Sequence, residues 1–298
     1  MALNPLVPRR ARVTVSVTRP DNQGQQTDQS FSFMNHRMRI MVRQGGQQFG
    51  NAKVEVFGLP LETMNQIARL WLETLTPQNT DTMAIDVFDG EGFVPFFQGV
   101  ITWSAVDASG MPQVKLVIEA NAAMQLMNMA ASPYANAGPV LLKDVLTGIA
   151  QQGQFSVDYS EQAPVYQLTD VRVTGSPMEQ LNKLMRSFPD LSWFINLQRL
   201  IVRKVNAPFN TDSIRIAADT GLQGFPVYST SGLQFTTVFN PQLRPGVSLD
   251  VMTPFDFVNR TLWVSAVLAH TLDVNVPGGH WTTAVAANSF GAKGNTQT

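Results

Sequence analysis

Histidine occurs three times in this chain, at His36, His270 and His280, and Asp273 stands between the last two. A metal centre or a base–carboxylate pair is the chemistry such a group could perform. The spacing argues against both. Two histidines on either side of a Gly-rich turn, with no third strong ligand, fit no zinc or protease pattern. A second acidic group is "DVFDGEG", with Asp86, Asp89 and Glu91. A calcium loop would place a glutamate at its twelfth position, and Phe97 stands there instead. The stretch reads as the solvated tip of a hairpin turning at Asp89-Gly90. A glycosidase pair could be drawn from anywhere among the 22 acidic residues, but no local motif selects one. There is no G-x-S-x-G, P-loop, G-x-G-x-x-G or H-E-x-x-H. The lack of cysteine excludes disulfides, thiolate metal sites and a cysteine nucleophile. No catalytic, cofactor-binding or metal-ligating residue is therefore assigned, and no cofactor is expected.

The remaining chemistry-bearing residues read as structure. Trp103, Trp193, Trp263 and Trp281 all lie in strand patterns, where aromatics pack as core. Most of the 13 methionines read as soft core filler on inner faces. Arg9, Arg10, Arg12, Arg19, Arg37, Arg39 and Arg43 face only Asp21 and Asp28 before residue 44. A nucleic-acid face would need stacking aromatics among these arginines. They alternate with strand residues instead, so pairing with the acids that follow is the expectation. Charged residues make up only 14% of the chain, well below the ~25% of ordinary soluble proteins. A surface this poor in charge suits one covered in an assembly. No apolar run reaches the ~20 residues of a membrane helix, and "MALNPLVPRR" lacks the apolar core of a signal peptide.

Three blocks position these residues. In "RVTVSVT", Val13, Val15 and Val17 alternate with polar residues, as a half-buried strand requires. "HRMRIMVR" and "AKVEVFG" continue the pattern. Helical spacing then brings Met64, Ile67, Ala68, Trp71 and Leu75 onto one face behind Pro60. Strands return through "QVKLVIEA". The middle block holds two helices. "GPVLLKDVLTGIAQQG" has Pro139 near its start, a stripe of Leu142, Val145, Leu146 and Ile149, and a stop at Gly153. "SPMEQLNKLMRSF" carries a Ser176/Glu179 capping box around Pro177, with Leu181, Leu184, Met185 and Phe188 buried. "LSWFINLQRLIVRK" is a hairpin turning near Asn196–Gln198. From about Asn206 the pattern is strands alone, and the tail "GAKGNTQT" reads as disordered.

The third block is the most specific. It runs through a Gly-Leu-x-Gly-x-Pro turn at Gly221–Pro226 and Asn-Pro-x-Leu-x-Pro-Gly at Asn240–Gly246. A strand ending in His-x-Leu-Asp at His270–Asp273 follows, then His-Trp-x-Thr at His280–Thr283. This succession resembles the tail hub (baseplate hub) proteins of tailed bacteriophages. "AKVEVFGLPLETMNQIARLW" with "FFQGVITWSAV" resembles that family's first barrel. "VLLKDVLTGIAQQGQF" and "GSPMEQLNKLMRSFPDLSWFI" resemble its middle domain.

The resemblance implies a mainly β fold with an α+β insert. Two tail-tube-like β-barrel domains, 1–125 and 206–298, would flank a small α+β middle domain at 126–205. It also implies a homotrimer whose barrels form a pseudo-sixfold ring between the hexameric tail tube protein and a threefold central spike protein. Other baseplate proteins would surround it. DNA and the tape-measure protein would pass through the lumen without sequence-specific binding. The spike would be a separate protein, since 298 residues leave no room for a fused one. The chain would be assembled in the host cytoplasm and reside in the virion, with no membrane insertion and no catalytic residues. Two alternatives stand beside it: a tail-tip cell-wall hydrolase, and the hub of a contractile secretion system.

Overall fold

The computed structural model describes residues 8–20, 25–46, 49–69, 81–209, 212–230 and 232–292. The first block contains β1 (Ala11–Pro20), β2 (Gln26–Phe33), β3 (Met38–Gly45) and β4 (Asn51–Phe57). After helix α1 (Leu61–Ile67) come β5 (Thr82–Phe88), β6 (Phe93–Asp107) and β7 (Lys115–Asn121). The alternating valines point inward as expected: Val13, Val15 and Val17 are buried, as are Met38, Ile40 and Val42 on β3. Helix α1 is shorter than its spacing predicts. Ala68 is extended, and Arg69 bridges to Ser104 on β6. The cause is local. Arg19 Nε and Nη2 donate to the carbonyls of Gln66 and Ile67, so a side chain satisfies the acceptors that another helical turn would have used. Trp71 and Leu75 lie outside the described residues.

Between the β-blocks, α2 (Met124–Asn128), β8 (Tyr134–Leu141) and α3 (Leu142–Gln151) lead to β9 (Ser156–Tyr159) and β10 (Gln167–Val173). Then come α4 (Pro177–Met185), β11 (Leu191–Asn196) and β12 (Arg199–Lys204). Strand β8 pairs with β10, and β12 lies between β11 and β9. The stripes of α3 and α4 are buried as predicted, and Ser176 Oγ accepts from the Glu179 amide at 3.3 Å. Two details differ. Pro139 sits in β8 opposite Thr169, in a two-stranded sheet where a missing N–H is tolerated. The left-handed residue after α3 is Gln154 (φ 62), not Gly153. Gly153 is small for another reason: a Cβ there would lie 2.3 Å from Leu126 Cδ2 on α2.

The β11–β12 hairpin turns through Leu197 (φ 49) and Gln198 (φ 58), the two positive φ angles of a type I′ turn. Neither residue favours that conformation. Replacing Leu197-Gln198 by Asn-Gly is expected to raise unfolding stability by about 1–2 kcal/mol, measured by urea denaturation. An unchanged midpoint would refute it.

The third block holds β13 (Ser213–Ile216), a 3-10 turn at Ala218–Thr220, β14 (Leu222–Ser229), β15 (Gly232–Val238), β16 (Ser248–Val251), β17 (Thr261–Val274) and β18 (Trp281–Ala292). It is not wholly free of helix: the single turn α5 (Asp256–Asn259) precedes β17. Of the tail, Gly291 and Ala292 end β18, and 293–298 lie outside the described residues.

The two β-blocks form one sheet. Its strands run β14-β15-β18-β17-β3-β4-β7-β6-β5-β1-β2, with β16 on β17 and β13 on β16. The junction is β17 on β3, antiparallel from Val267↔Gly45 to Val274↔Met38. Gly45 closes it at φ 83, where a Cβ would lie 2.1 Å from the Ala266 carbonyl oxygen. Gly45→Ala is expected to cost about 3 kcal/mol, combining strained φ with a backbone clash. Gly58→Ala, at φ 76 with nothing within 4 Å, should cost about 1 kcal/mol. Equal thermal shifts for the two variants would contradict this reading.

The two halves of the sheet repeat each other. The order β3-β4-β7-β6-β5-β1 is matched by β14-β15-β18-β17-β16-β13. The registers match too. Thr82↔Val100, Ile101↔Ala120 and Trp103↔Glu119 correspond to Ser248↔Val264, Ser265↔Ala287 and Val267↔Ala286. Each half bulges one residue, Thr102 or Ala266, at the same place. The halves differ at the innermost pair: β1 runs antiparallel to β5, whereas β13 runs parallel to β16. One apolar core unites the first block with the middle block and takes in Phe239, Leu272, Val274 and Trp281. A second, smaller core lies among β13 to β18.

Candidate functional site

The histidine–aspartate group separates by strand geometry. Successive residues of a strand face opposite sides, so His270 and Asp273 diverge on β17. His270 is 1% exposed. Its Nδ1 lies 2.9 Å from Thr283 Oγ1, and the rings of Phe96 and Phe239 meet it edge-on at 4.8 and 5.5 Å. Burial, aided by the nearby Arg244 charge, lowers its pKa to about 3. This imidazole is a neutral core residue. Asp273 faces Arg39 directly across the junction, with Arg39 Nε 2.9 Å from its Oδ1, and its Oδ2 accepts from the His280 amide at 2.9 Å. Burial pushes the Asp273 carboxyl up, but the Arg39 and His280 hydrogen bonds outweigh it and hold the pKa below the ordinary value.

The hairpin carboxylates also divide. Asp86 pairs with Arg12 at 2.7 Å. Asp89 Oδ1 accepts from the amides of Gly92 and Glu91, both at 2.9 Å, and these bonds lower its pKa. Phe97 is buried. Among the described residues, no three His, Asp or Glu side chains are placed to hold a metal ion, and no helix is long and apolar enough to cross a membrane. The basic N-terminal stretch is largely occupied: Arg12 on Asp86, Arg19 on Asp81 and Arg39 on Asp273, with Arg37 stacked 4.7 Å over Phe57. Trp263 is buried, its Nε1 donating to the Val258 carbonyl at 3.0 Å. Trp281 is also buried, and Trp103 and Trp193 are half-buried.

The surface feature that sequence reasoning missed is apolar. Phe225, Val227 and Tyr228 on β14 are 68, 65 and 59% exposed. Phe255 and Phe257, around α5, join them: Phe225 to Phe255 at 5.8 Å, Tyr228 to Phe257 at 5.4 Å. Tyr228 also meets Trp263 at 6.1 Å, linking the patch to the smaller core. On the other face of the sheet, Phe225 and Val227 overhang a groove of ≈ 560 Å³ floored by Gln234, Thr236 and Ala284. The signal was present in "TPFDFVN", which puts two phenylalanines in a short turn-rich stretch with no apolar period to bury them. Exposed aromatic clusters at a strand edge suit an interaction surface.

Solved structures share this fold. A tail protein from Neisseria meningitidis MC58 superposes with a TM-score of 0.60 at 10% identity, covering 95% of this chain and 96% of that one. The 43 kDa tail protein of prophage MuSo2 from Shewanella oneidensis gives 0.59 at 9% identity, with 94 and 99% covered. The E. coli c3393 protein, a type VI secretion component described as similar to the T4 tail proteins gp27 and gp5, gives 0.54 at 10% identity, with 86 and 74% covered. The fold is thus that of phage tail proteins. The family model for baseplate hub gp41 matches residues 12–263, and the chain belongs to that family of phage tail baseplate hub proteins. No curated protein matches the sequence.

Proposed function

We propose that three copies of this chain form the ring at which a phage tail baseplate passes from sixfold to threefold symmetry. The tail tube would dock on one side and the central spike on the other, with DNA and the tape-measure protein passing through the lumen. The observation that carries the reading is the internal repeat. Two halves with one strand order and one register let three chains present six similar units to a hexameric tube. Membership of the hub family and the low surface charge support it. In this reading the two β-blocks are the tube-like domains, the α+β block lies between them, and the protein is structural. The hub of a contractile secretion system is a second reading, favoured by the match to the E. coli component. Mass photometry of the purified chain is expected to give a trimer that binds tube protein. A stable monomer that clears peptidoglycan would overturn the hub reading. Copurification with sheathed secretion tubes instead of phage particles would select the second.

A further inference from the structure

We propose that the groove on the outer face of the third block binds an extended peptide segment of another protein. The segment seats an apolar side chain against Phe225 and Val227 and a carboxylate on Arg43. The site lies within a single chain and does not depend on the ring reading.

The register sets the course of the groove. Gln223, Thr236, Ala284, Ala269 and Arg43 lie side by side on five neighbouring strands. Val227, Gln234, Ala286 and Val267 form the adjoining row. The floor therefore crosses the strands, from β14 to β3. Ala269 and Ala284 are exposed although their strands are interior to the sheet. One end is raised. From Gln223 to Val227, β14 advances four residues while β15 advances two, so residues 224–226 arch away from the ladder. Gly224 supplies the positive φ (70) for this arch, and Phe225 stands 68% exposed on it. At the other end is Arg43. Carboxylates hold Arg12, Arg19 and Arg39, but Arg43 is exposed and makes no ion pair among the described residues.

The internal repeat shows that the scaffold does not demand this groove. In the first block, Lys53, Glu119 and Trp103 occupy the row that Gln234, Ala286 and Val267 occupy in the third. Lys53 and Glu119 pair across the strands at 3.0 Å, and Trp103 lies opposite Glu119. One strand order thus carries a row of long, ion-paired side chains in one half and a row of smaller, uncharged ones in the other. The difference lies in the side chains, not in the backbone.

The lining selects the occupant. Four interstrand steps of about 4.8 Å, roughly 19 Å in all, separate β14 from β3. An extended chain rising about 3.3 Å per residue crosses that span in about six residues. Gln223, Gln234 and Thr236 offer amides and a hydroxyl to its backbone. A hydrocarbon chain would leave those groups unpaired. A nucleic-acid strand needs several cations, and Arg43 is the one charge in the lining among the described residues. The aromatic end and the single guanidinium call for one apolar side chain and one acidic group about four to six residues apart.

Panning mRNA-displayed random peptides on the purified full chain is expected to enrich sequences with that pair at that spacing. A labelled synthetic copy of an enriched peptide should bind by fluorescence anisotropy. Its affinity should fall about tenfold when its acid is changed to the amide, and equally with Arg43→Gln. Gln234→Lys/Ala286→Glu copies the Lys53–Glu119 pair into the groove, and should abolish binding with unchanged circular dichroism. A library that yields no common pattern, or a peptide that binds the filled groove equally well, would overturn the proposal. Self-association lost on filling the groove, with no peptide enriched, would overturn it too and give this face to a second copy. A stable monomer that binds the peptide would sink the ring reading and leave this site standing.

Discussion

Lowering the pH from 6.5 to about 4.5 is expected to weaken the native fold by roughly 2 kcal/mol through His270 alone. The folded pKa is about 3, against 6.5 for the free side chain. A buried neutral imidazole cannot take the proton that the unfolded chain takes below pH 6.5, so the unfolded state binds more protons in that window. Stability is then full above pH 6.5 and falls by about 1.4 kcal/mol per unit toward pH 3. The groups facing His270 are Thr283, Phe96, Phe239 and the Arg244 charge, and the last opposes protonation further. Asp273, Asp89 and Asp107 also have lowered pKa values. They lose their contributions at lower pH, as carboxylates protonate, so the upper part of the window isolates the histidine. Urea midpoints of wild type and His270→Gln between pH 7 and about 4.5 are expected to converge as the pH falls. Parallel curves would show that His270 is not the responsible group.

Asp81→Ala is expected to cost about 3–5 kcal/mol, the loss typical when one partner of a buried ion pair is removed. Asp81 is 2% exposed. It accepts from the Thr18 amide at 3.1 Å and from Arg19 Nη1 at 2.9 Å, and pairs with Arg69 Nε at 3.2 Å. Its own carbonyl accepts from the Ile101 amide. Without its carboxylate, two largely buried guanidiniums would face each other beside the end of α1. The effect should be coupled: adding Arg69→Met to Asp81→Ala is expected to recover part of the loss, because one unpaired charge leaves with it. Chemical denaturation of the two single variants and the double variant closes the cycle. Additive losses would mean that the two side chains act independently.

Local physics was legible in the sequence wherever a residue's role depends on near neighbours. Alternation revealed the inward valines of β1 and β3, and the Ser176 cap marked the start of α4. Three things were beyond it. The end of α1 depends on Arg19, dozens of residues earlier, donating to Gln66 and Ile67. The β3–β17 junction pairs residues more than two hundred positions apart, and alternation tells which face a side chain takes, not which strand lies beside it. The aromatic patch needs the knowledge that β14 ends the sheet. The one hint is Pro226 in "GFPVYST", since a residue without an N–H fits an edge strand better than a central one.

The internal junction also has a mechanical meaning. Eight consecutive residue pairs tie β17 to β3, and the Arg39–Asp273 pair straddles the same line. A linker would let the two halves swing. A ladder does not, because parting it means breaking its hydrogen bonds together, and sliding it by one residue would turn Leu268, His270 and Leu272 out of the core. Each chain is therefore stiff across its own middle. In the ring proposed above, any opening or twisting would therefore fall to the contacts between copies and not to the middle of a chain.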